Sequence, residues 1–467
     1  MAAYEAAKPS RIRKNQSDNS SGTTVVAQSG DALRGTARSL EQNYDVVKTA
    51  LDLLVNNTVG PNGITKEPRP KDINGEIHAE FAGQLLDVWE DFKLNPEVTG
   101  EHDYASMERL LARTLFRDGE ELAQLVVGTG RGLNHRTRVP FSIEMVEIDQ
   151  LPFTMTDQSR GIINGVELNG WGRPLAYHMY KSHPGNSTWE FSSQTKRVPA
   201  SRMLHPKLTQ RIGQVRGVTV FHSVLNRIDD LKEYEESERV AARVAASLTG
   251  YVKKGVADDY VAPESGDTER HFSMAPGLIA DNLEVGEEIG LIESNRPSAL
   301  LTPFHAQMLR STAGGVGVGY SSLSRNYDGT YSAQRQELVE GWIHYQALTS
   351  MIAGQISRPI WKTFVDMAIL SGVVQVPSDL DMNTLYDADY RGPPMPWIDP
   401  VKEVTANIMA EKALHKTGPQ IIRERNGNPS DLLKEEALWR TRMDEAGVIS
   451  SATVVEVETD EPETRSE

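Results

Sequence analysis

The sequence predicts an α+β fold, because helical and strand-like patterns fill separate stretches and do not alternate regularly. Apolar residues recur at helical spacing before residue 120 and again after residue 303. Between them, residues 122–220 carry short β-type runs separated by Gly, Pro and Asn clusters. A long helical pattern with many small side chains follows this sheet-rich stretch. From 467 residues we expect two to four domains, or one elaborate domain.

Composition removes several classes of function. The chain has 65 acidic and 49 basic residues and a net charge of -16, which argues against a protein that coats nucleic acid by charge. It has no cysteine, which excludes disulfides, Cys-ligated zinc, iron–sulfur clusters and thiol catalysis. Hydrophobic residues make up 39%, slightly few for a compact globule, so part of the chain should be buried only against partners.

The two ends of the chain have compositions typical of disorder. The first thirty or so residues are poor in large apolar groups, and we predict a flexible N-terminal arm over residues 1–36. Residues 456–467 carry six acidic residues and one basic residue, Arg465, so we predict an acidic disordered tail over 451–467. Either end could serve solubility alone.

Helical spacing predicts the elements before the sheet-rich stretch. Helices are expected over 40–56, 76–92 and 104–115, with Asp118-Gly119 as a stop. Strands are expected at 125–127, 141–148, 175–180 and 189–191.

The next predicted element is a long helix that begins near Val218 or Asp229 and ends near Lys254. Its first half is acidic, which suits the positive end of the helix dipole. Its second half contains small residues, among them Ala242 and Ala245, which permit close approach to more than one neighbouring helix.

The C-terminal half is predicted to be mostly helical. Residues 257–302 read as extended, and helices are expected over 303–312 and 332–368. A Gly-rich loop is expected between them, over 313–331. Residues 400–447 read as helices broken at Thr417 and Asn426.

No stretch commits the chain to an enzyme. Gly315, Gly317 and Gly319 are not followed by the Lys-Ser or Lys-Thr of a phosphate loop. The histidines match no zinc spacing, so we predict no catalytic residue, no metal and no cofactor. The longest apolar region, 364–376, is too short to span a bilayer and contains Asp366, so no membrane association is expected.

Several stretches, taken in order, resemble the lambda-type family of tailed-phage portal proteins. The resemblance covers about residues 33–447. The most specific match is Arg197-Val-Pro-Ala-Ser-Arg-Met-Leu-His205 with Gly213-Gln-Val-Arg-Gly-Val218. Further matches are Val59-Gly60 with Gly63-Ile64, Arg117-Asp-Gly-Glu120, the region 327–335 and Ile398-Asp-Pro-Val-Lys-Glu403. The region 327–335 departs from the family at Ala333-Gln334, where a second Ser is expected.

The resemblance implies a portal fold with wing, helical stem, β-rich clip and helical crown, assembled as a ring around a channel. It implies a homo-oligomer, usually of twelve copies, at one capsid vertex of the virion, assembled in the host cytoplasm. In such a ring, double-stranded DNA passes through the central channel during packaging and ejection, without sequence-specific binding. The implied partners are the terminase large subunit, which hydrolyses ATP, the major capsid protein and the head-tail connector proteins.

On this resemblance we divide the chain into eight regions. They are the arm 1–36, the helical part of the wing 37–140, a β-rich wing or clip region 141–215, a stem helix 216–256, a wing β segment 257–302, channel-side helices and a loop 303–395, crown helices 396–450 and the acidic tail 451–467.

Two groups of residues are candidates for function. Tyr320, Arg325, Tyr327 and Tyr331 could contact DNA from a flexible channel loop, although a wing-surface loop or a subunit-contact turn would explain the same sequence. Ala242 and Ala245 could pack against a neighbouring subunit.

Two other classes of function remain open for the whole chain: a soluble hydrolase or nuclease with an unrecognised site, and a scaffolding or minor capsid protein without a channel.

Overall fold

The computed structural model describes residues 18–128, 132–186, 194–247, 251–254, 287–290 and 301–447. For 244–247, 251–254 and 287–290 the description is limited to the backbone. The described residues form two compact units. The first draws on the described parts of 1–55, 110–126 and 143–344, and the second on those of 56–109, 127–142 and 345–467.

Helices dominate both units, as the α+β prediction requires. The helices are α1 (Gly22–Asn43), α2 (Asp45–Thr58), α3 (Ala79–Leu94), α4 (Tyr104–Asp118), α5 (Leu225–Ser247), α6 (Leu301–Val316), α7 (Tyr320–Ser324), α8 (Tyr331–Ile352), α9 (Arg358–Leu370), α10 (Pro400–Lys412), α11 (Gly418–Glu424) and α12 (Pro429–Glu445). The strands are β1 (Thr65–Pro68), β2 (Leu122–Val127), β3 (Phe141–Val146), β4 (Ile162–Ile163), β5 (Val166–Leu168), β6 (Pro174–Tyr180), β7 (Thr195–Pro199), β8 (Met203–Leu204), β9 (Tyr251–Lys254), β10 (Glu287–Gly290) and β11 (Ala388–Arg391).

The predicted flexible arm is shorter than residues 1–36, because α1 already begins at Gly22. The Ser21 side chain caps this helix by accepting a hydrogen bond from the Thr24 N–H at 3.2 Å. Val26 and Arg34 are buried. The arm prediction was wrong from Gly22 onward, since it counted large apolar groups and overlooked an arginine that is buried in ion pairs. Residues 1–17, like the tail 451–467, lie outside the described residues.

Two sheets form the strand-rich part of the first unit. One is antiparallel with the strand order β4-β5-β6-β7, and the other has the order β3-β2-β8, in which β2 and β8 are antiparallel. Apolar residues of both sheets and their connections form one core, to which Leu122, Val146, Val166, Met179 and Met203 contribute. The strands expected at 125–127, 141–148 and 175–180 are confirmed in position, whereas 189–191 lies outside the described residues.

The long helix is confirmed, but it ends earlier than predicted. α5 ends at Ser247, and the four residues from Tyr251 to Lys254 form β9, which pairs antiparallel with β10. The prediction extended the helix through Thr249-Gly250, where glycine costs about 1 kcal/mol relative to alanine, and into β-favouring Tyr251-Val252. Of the predicted wing β segment 257–302, the structure describes only 287–290 and the start of α6.

α5 and α6 pack as an antiparallel pair. The Tyr234 and Phe304 rings meet edge to face with centroids 5.1 Å apart. Toward the other end of the pair, Gly315 lies against Val224. The start of α5 therefore lies beside the end of α6, so the two helices run in opposite directions. The chain segment that connects them contains the β9–β10 ribbon.

The predicted Gly-rich loop is mostly helical. α6 extends to Val316 and includes Gly314 and Gly315, and the loops that remain are 317–319 and 325–330. Gly317 ends α6 with a left-handed φ of 85° and donates its N–H to the Ala313 carbonyl at 2.8 Å. The prediction was wrong here because it interpreted every glycine as flexibility, whereas these glycines allow close packing and terminate a helix.

Aromatic side chains form the core of the second unit. Trp89, Phe92, Trp361 and Phe364 have ring centroids 5.0 to 5.5 Å apart in the pairs that contact. The β1–β11 pair lies in the same unit, as does a π-helical turn over Ala353–Ser357 that joins α8 to α9.

The C-terminal helices begin where the sequence predicts breaks. Asp399, Thr417 and Asn428 cap α10, α11 and α12, and each helix has proline in its first turn. No residue in these three helices is buried. Among the residues that the structure describes, no helix is long and apolar enough to cross a bilayer.

Candidate functional site

The most specific sequence match and the Arg117–Glu120 motif meet in a buried ion pair. Arg216 donates from Nε to both oxygens of Glu120 at 2.9 Å, and its Nη2 lies 2.7 Å from Oε1. Both side chains have no solvent exposure. Glu120 also accepts hydrogen bonds from the Gly217 N–H at 2.8 Å and from His205 Nε2 at 3.0 Å. The segments 117–120, 197–205 and 213–218 therefore form one junction.

Charge compensation keeps Glu120 ionised. Burial alone would raise the pKa of this carboxyl group, but the Arg216 guanidinium and the hydrogen bond from His205 outweigh burial and lower the pKa far below its usual range. Burial lowers the pKa of His205 as well, so its imidazole is neutral near pH 7. The junction is a structural element, since a fully buried and paired carboxylate has no access to a substrate.

α1 is attached to this junction by arginines. Arg34 lies 3.6 Å from Glu120, and its guanidinium shares the Phe153 ring with Arg216 at 5.2 and 4.0 Å from the ring centroid. Arg38 pairs with Asp118 at 2.7 Å and with Asp149 at 2.6 Å. Sequence reasoning missed this role of α1, because basic residues inside a Ser- and Thr-rich stretch resemble solvated positions.

The candidate DNA-contact residues fall into two places. Tyr320 begins α7 and lies under the Arg310 guanidinium, which is 4.8 Å from its ring centroid. Arg325 follows the end of α7, in the left-handed region with φ 56°. Tyr327 lies in the exposed loop 325–330, and Tyr331 begins α8; their side chains are 53% and 49% exposed. The structure thus groups Arg325, Tyr327 and Tyr331 near one turn and sets Tyr320 at the other end of α7.

Side chains of α8 fix this turn. Glu337 accepts hydrogen bonds from the Ser321 N–H at 3.0 Å and from the Ser321 hydroxyl at 2.6 Å, which satisfies the start of α7. The Gln334 side-chain amide donates to the Tyr327 carbonyl. Gln334 is one of the positions where the sequence departs from the family pattern, and here it shapes the loop that carries Tyr327.

The two packing candidates lie on α5. Ala242 lines a cavity of about 740 Å³ between the α1–α2 junction, α5 and the start of α6. In this cavity Glu235 accepts hydrogen bonds from the Tyr44 hydroxyl at 3.1 Å and from His305 Nε2 at 2.5 Å. Ala245 lies in the last turns of α5, and its side chain is outside the described residues.

Glu147, Asp149 and His183 form a group of ligand-type side chains in the described part of the chain, with one oxygen or nitrogen of each within 4.8 Å of the others. The Gly185 N–H donates to His183 Nδ1 at 3.0 Å, so Nδ1 carries the lone pair and Nε2 carries the proton. Nε2 lies 2.8 Å from a Glu147 oxygen, but its N–H is not aligned for a hydrogen bond to it. A metal on Nε2 would move the proton to Nδ1, against the Gly185 N–H. Asp149 is already held by Arg38, so this group does not favour a metal site.

Comparison with known proteins agrees with the sequence motifs. The family model described as "Phage portal protein, lambda family" matches residues 8–348. The probable portal protein of Halomonas phage phiHAP-1 is 26% identical over 430 residues, covering 88% of this chain and 80% of that protein. Portal protein B of Escherichia phage lambda is 25% identical over 421 residues, covering 81% and 78%.

A solved structure shares the fold. The chain in the "Neck of empty GTA particle computed with C6 symmetry" superposes with a TM-score of 0.52 at 12% identity, covering 86% of this chain and 94% of that one. At this identity the likeness shows the fold alone, and it confirms the predicted α+β portal fold. The chain therefore belongs to the lambda family of phage portal proteins and is a subunit of the portal ring through which phage DNA is packaged.

Proposed function

We propose that twelve copies of this chain form a closed ring at one capsid vertex and that double-stranded DNA slides through its centre during packaging and ejection. Family membership supports the ring. The observation that supports the channel architecture is the antiparallel α5–α6 pair, whose connecting segment contains the β9–β10 ribbon. The GTA neck that shares the fold was computed with C6 symmetry, which a twelve-copy ring also satisfies.

In this proposal α5 and α6 are the two stem helices, and the segment between them, with β9 and β10, belongs to the clip. This assignment supplies the second stem helix, which the sequence pattern does not identify. It also moves the clip out of 141–215, because that stretch builds the packed sheet core of the first unit. Residues 37–215 then form the wing, and 396–450 form the crown.

The loop 325–330 with Tyr331 lies on the DNA path in this proposal. Arg325 supplies one positive charge and Tyr327 a half-exposed ring, enough for weak contacts to phosphate and sugar. The net charge of -16 works in the same direction, because many strong phosphate contacts would hold the duplex and oppose sliding.

The proposed partners follow from the same role. The terminase large subunit docks at the clip and supplies ATP hydrolysis, the head-tail connector proteins replace it after packaging, and the major capsid protein surrounds the wing. Assembly takes place in the host cytoplasm. The portal family is structural, and we expect this chain to hydrolyse neither ATP nor DNA.

The test replaces Arg325 and Tyr327 by Ala and assays DNA packaging with the rest of the phage system. We expect rings of normal size that lose much of their packaged DNA. The matched control is Arg325→Lys, which keeps the charge and meets the same left-handed backbone cost. Normal packaging by the double Ala variant would contradict the loop assignment, and failure to form rings would favour a subunit-contact turn.

A further inference from the structure

α12 has the sequence signals of a well-defined helix, but among the described residues it touches α11 only lightly and buries none of its own side chains. Asn428 caps it, Pro429 begins it, and Arg440 pairs with Glu436 at 2.8 Å on its surface. Its large apolar side chains are exposed: Leu432 50%, Leu433 73%, Leu438 53% and Trp439 58%. A 17-residue helix exposed on every side is marginal in water, because helices gain most of their stability from packing an apolar face.

Apart from Leu438, which lies on a third side about 120° from both, these apolar residues fall on two separate faces. At about 100° per residue, Leu432, Trp439 and Met443 form one stripe along the helix. Leu433 and Ala437 form a second stripe, roughly 120° around the helix from the first. One partner helix covers one stripe. Two stripes require two partner surfaces, which a rotational ring supplies from the copies on either side.

The charges beside the two stripes are complementary. Glu435 and Glu436 flank the first stripe, and Lys434 and Arg440 flank the second. Further along the helix the signs reverse on both stripes: Arg442 lies near the first and Asp444 within the second. Equivalent residues of a ring lie at the same height along its axis, so Lys434 meets Glu435 and Glu436, and Asp444 meets Arg442, when the first stripe faces the second. Arg440 pairs instead with Glu436 of its own helix.

We propose that α12 is a ring-closing element, in which the Leu432–Trp439–Met443 stripe of one copy packs against the Leu433–Ala437 stripe of the next copy, in parallel and in register. This inference rests on the ring of the proposed function and adds the surface that joins the copies. The occupant of both stripes is therefore a second copy of this chain.

The experiment uses the absence of cysteine from the chain. The full-length double variant Ala437→Cys/Trp439→Cys places one thiol on each stripe. Positions two residues apart lie on opposite sides of a helix, so the two thiols cannot pair within one chain. Oxidation of purified rings should give a ladder of covalent multimers up to the full copy number on a non-reducing gel. Each single variant carries one thiol per chain, so on the same gel it should give only monomers and dimers.

The outcomes separate this proposal from the ring itself. Rings that form, seen by electron microscopy, but give no ladder beyond the single-variant controls would overturn the α12 contact and leave the ring standing. No rings from the unaltered chain would overturn the proposed function instead. If loss of Trp439 alone blocks assembly of a folded chain, the contact is supported, and Thr441→Cys/Met443→Cys, which keeps the tryptophan, should then give the ladder.

Discussion

Lys66 is a buried lysine in the second unit, at 5% exposure. Its ammonium group lies 3.9 Å from the Tyr104 ring centroid and 4.6 Å from that of Trp89, and it donates to the Ile64 carbonyl at 3.3 Å. Burial lowers the pKa of Lys66 to about 8, while the nearby Glu108 carboxylate acts in the opposite direction. The faces of the Tyr104 and Trp89 rings stabilise the ammonium cation but do not replace the hydration that it loses on burial.

This burial predicts a pH-dependent stability that Lys66→Met should remove. The unfolded chain holds the lysine proton up to about pH 10.5, whereas the folded chain releases it near pH 8. Between these values the unfolded state binds more protons, so the wild-type free energy of unfolding should rise relative to the variant by roughly 1.4 kcal/mol per pH unit. Below pH 8 the difference should be constant. Urea unfolding of both proteins from pH 7 to 10.5 measures it, and parallel curves would contradict the assigned burial.

Motif reading located important residues without showing their contacts. Arg117 to Glu120 and Gly213 to Val218 stand out in the sequence, but nothing in it shows that Glu120 and Arg216 would pair across almost a hundred positions. The same holds for Glu337, whose bond to Ser321 joins two helices. Such contacts depend on the tertiary fold, which local spacing does not contain.

At the scale of elements, the α5–α6 pair depends on one glycine. A Cβ added to Gly315 would lie 2.3 Å from Cγ1 of Val224, whereas a Cβ on Gly314 would have no neighbour within 4 Å. Gly315→Ala should therefore destabilise the first unit by about 1–3 kcal/mol through overpacking. Gly314→Ala, the matched control in the same helix, should be neutral or stabilising by up to about 1 kcal/mol. Equal unfolding midpoints for the two variants in urea would show that the helices are not this close.

Ala242 lies on α5, and its replacement tests whether that helix meets a neighbouring copy. Because Ala242 lines a cavity, a larger side chain has room inside the isolated chain. Ala242→Leu should leave the stability of the monomer nearly unchanged but weaken ring assembly if a neighbouring copy enters the cavity. Sedimentation measures assembly, and circular dichroism with urea serves as the stability control. If Ala242→Leu forms normal rings, Ala242 does not lie in the subunit interface.

Periodicity predicted the helices well and their ends poorly. The helices expected over 76–92, 104–115 and 332–368 are present, because an amphipathic pattern over three or more turns leaves few alternatives. The failures lie at Gly22, at Ser247 and in the glycines of α6. The ion pairs of α1 and the close contact of Gly315 with Val224 depend on residues distant in sequence. The cap at Ser21 and the end of α5 at Ser247 are local features that the periodicity overlooked.

At the scale of the whole molecule, the described residues combine two cores with exposed apolar surfaces. The exposed apolar residues of α10 and α12 and the modest 39% of hydrophobic residues fit a subunit that completes its burial in an assembly. The sequence motifs were sufficient to assign the family. They do not specify the copy number or the contact surfaces, because these depend on the angle between neighbouring subunits.

The most direct test of the account is the assembly state of the purified full-length chain, measured by native mass spectrometry together with negative-stain images. We predict a closed ring with a central hole and a mass of twelve chains of 51.7 kDa each. A different number of copies in a closed ring would revise the copy number alone. A stable monomer or dimer at micromolar concentration, across several salt conditions, would contradict the account.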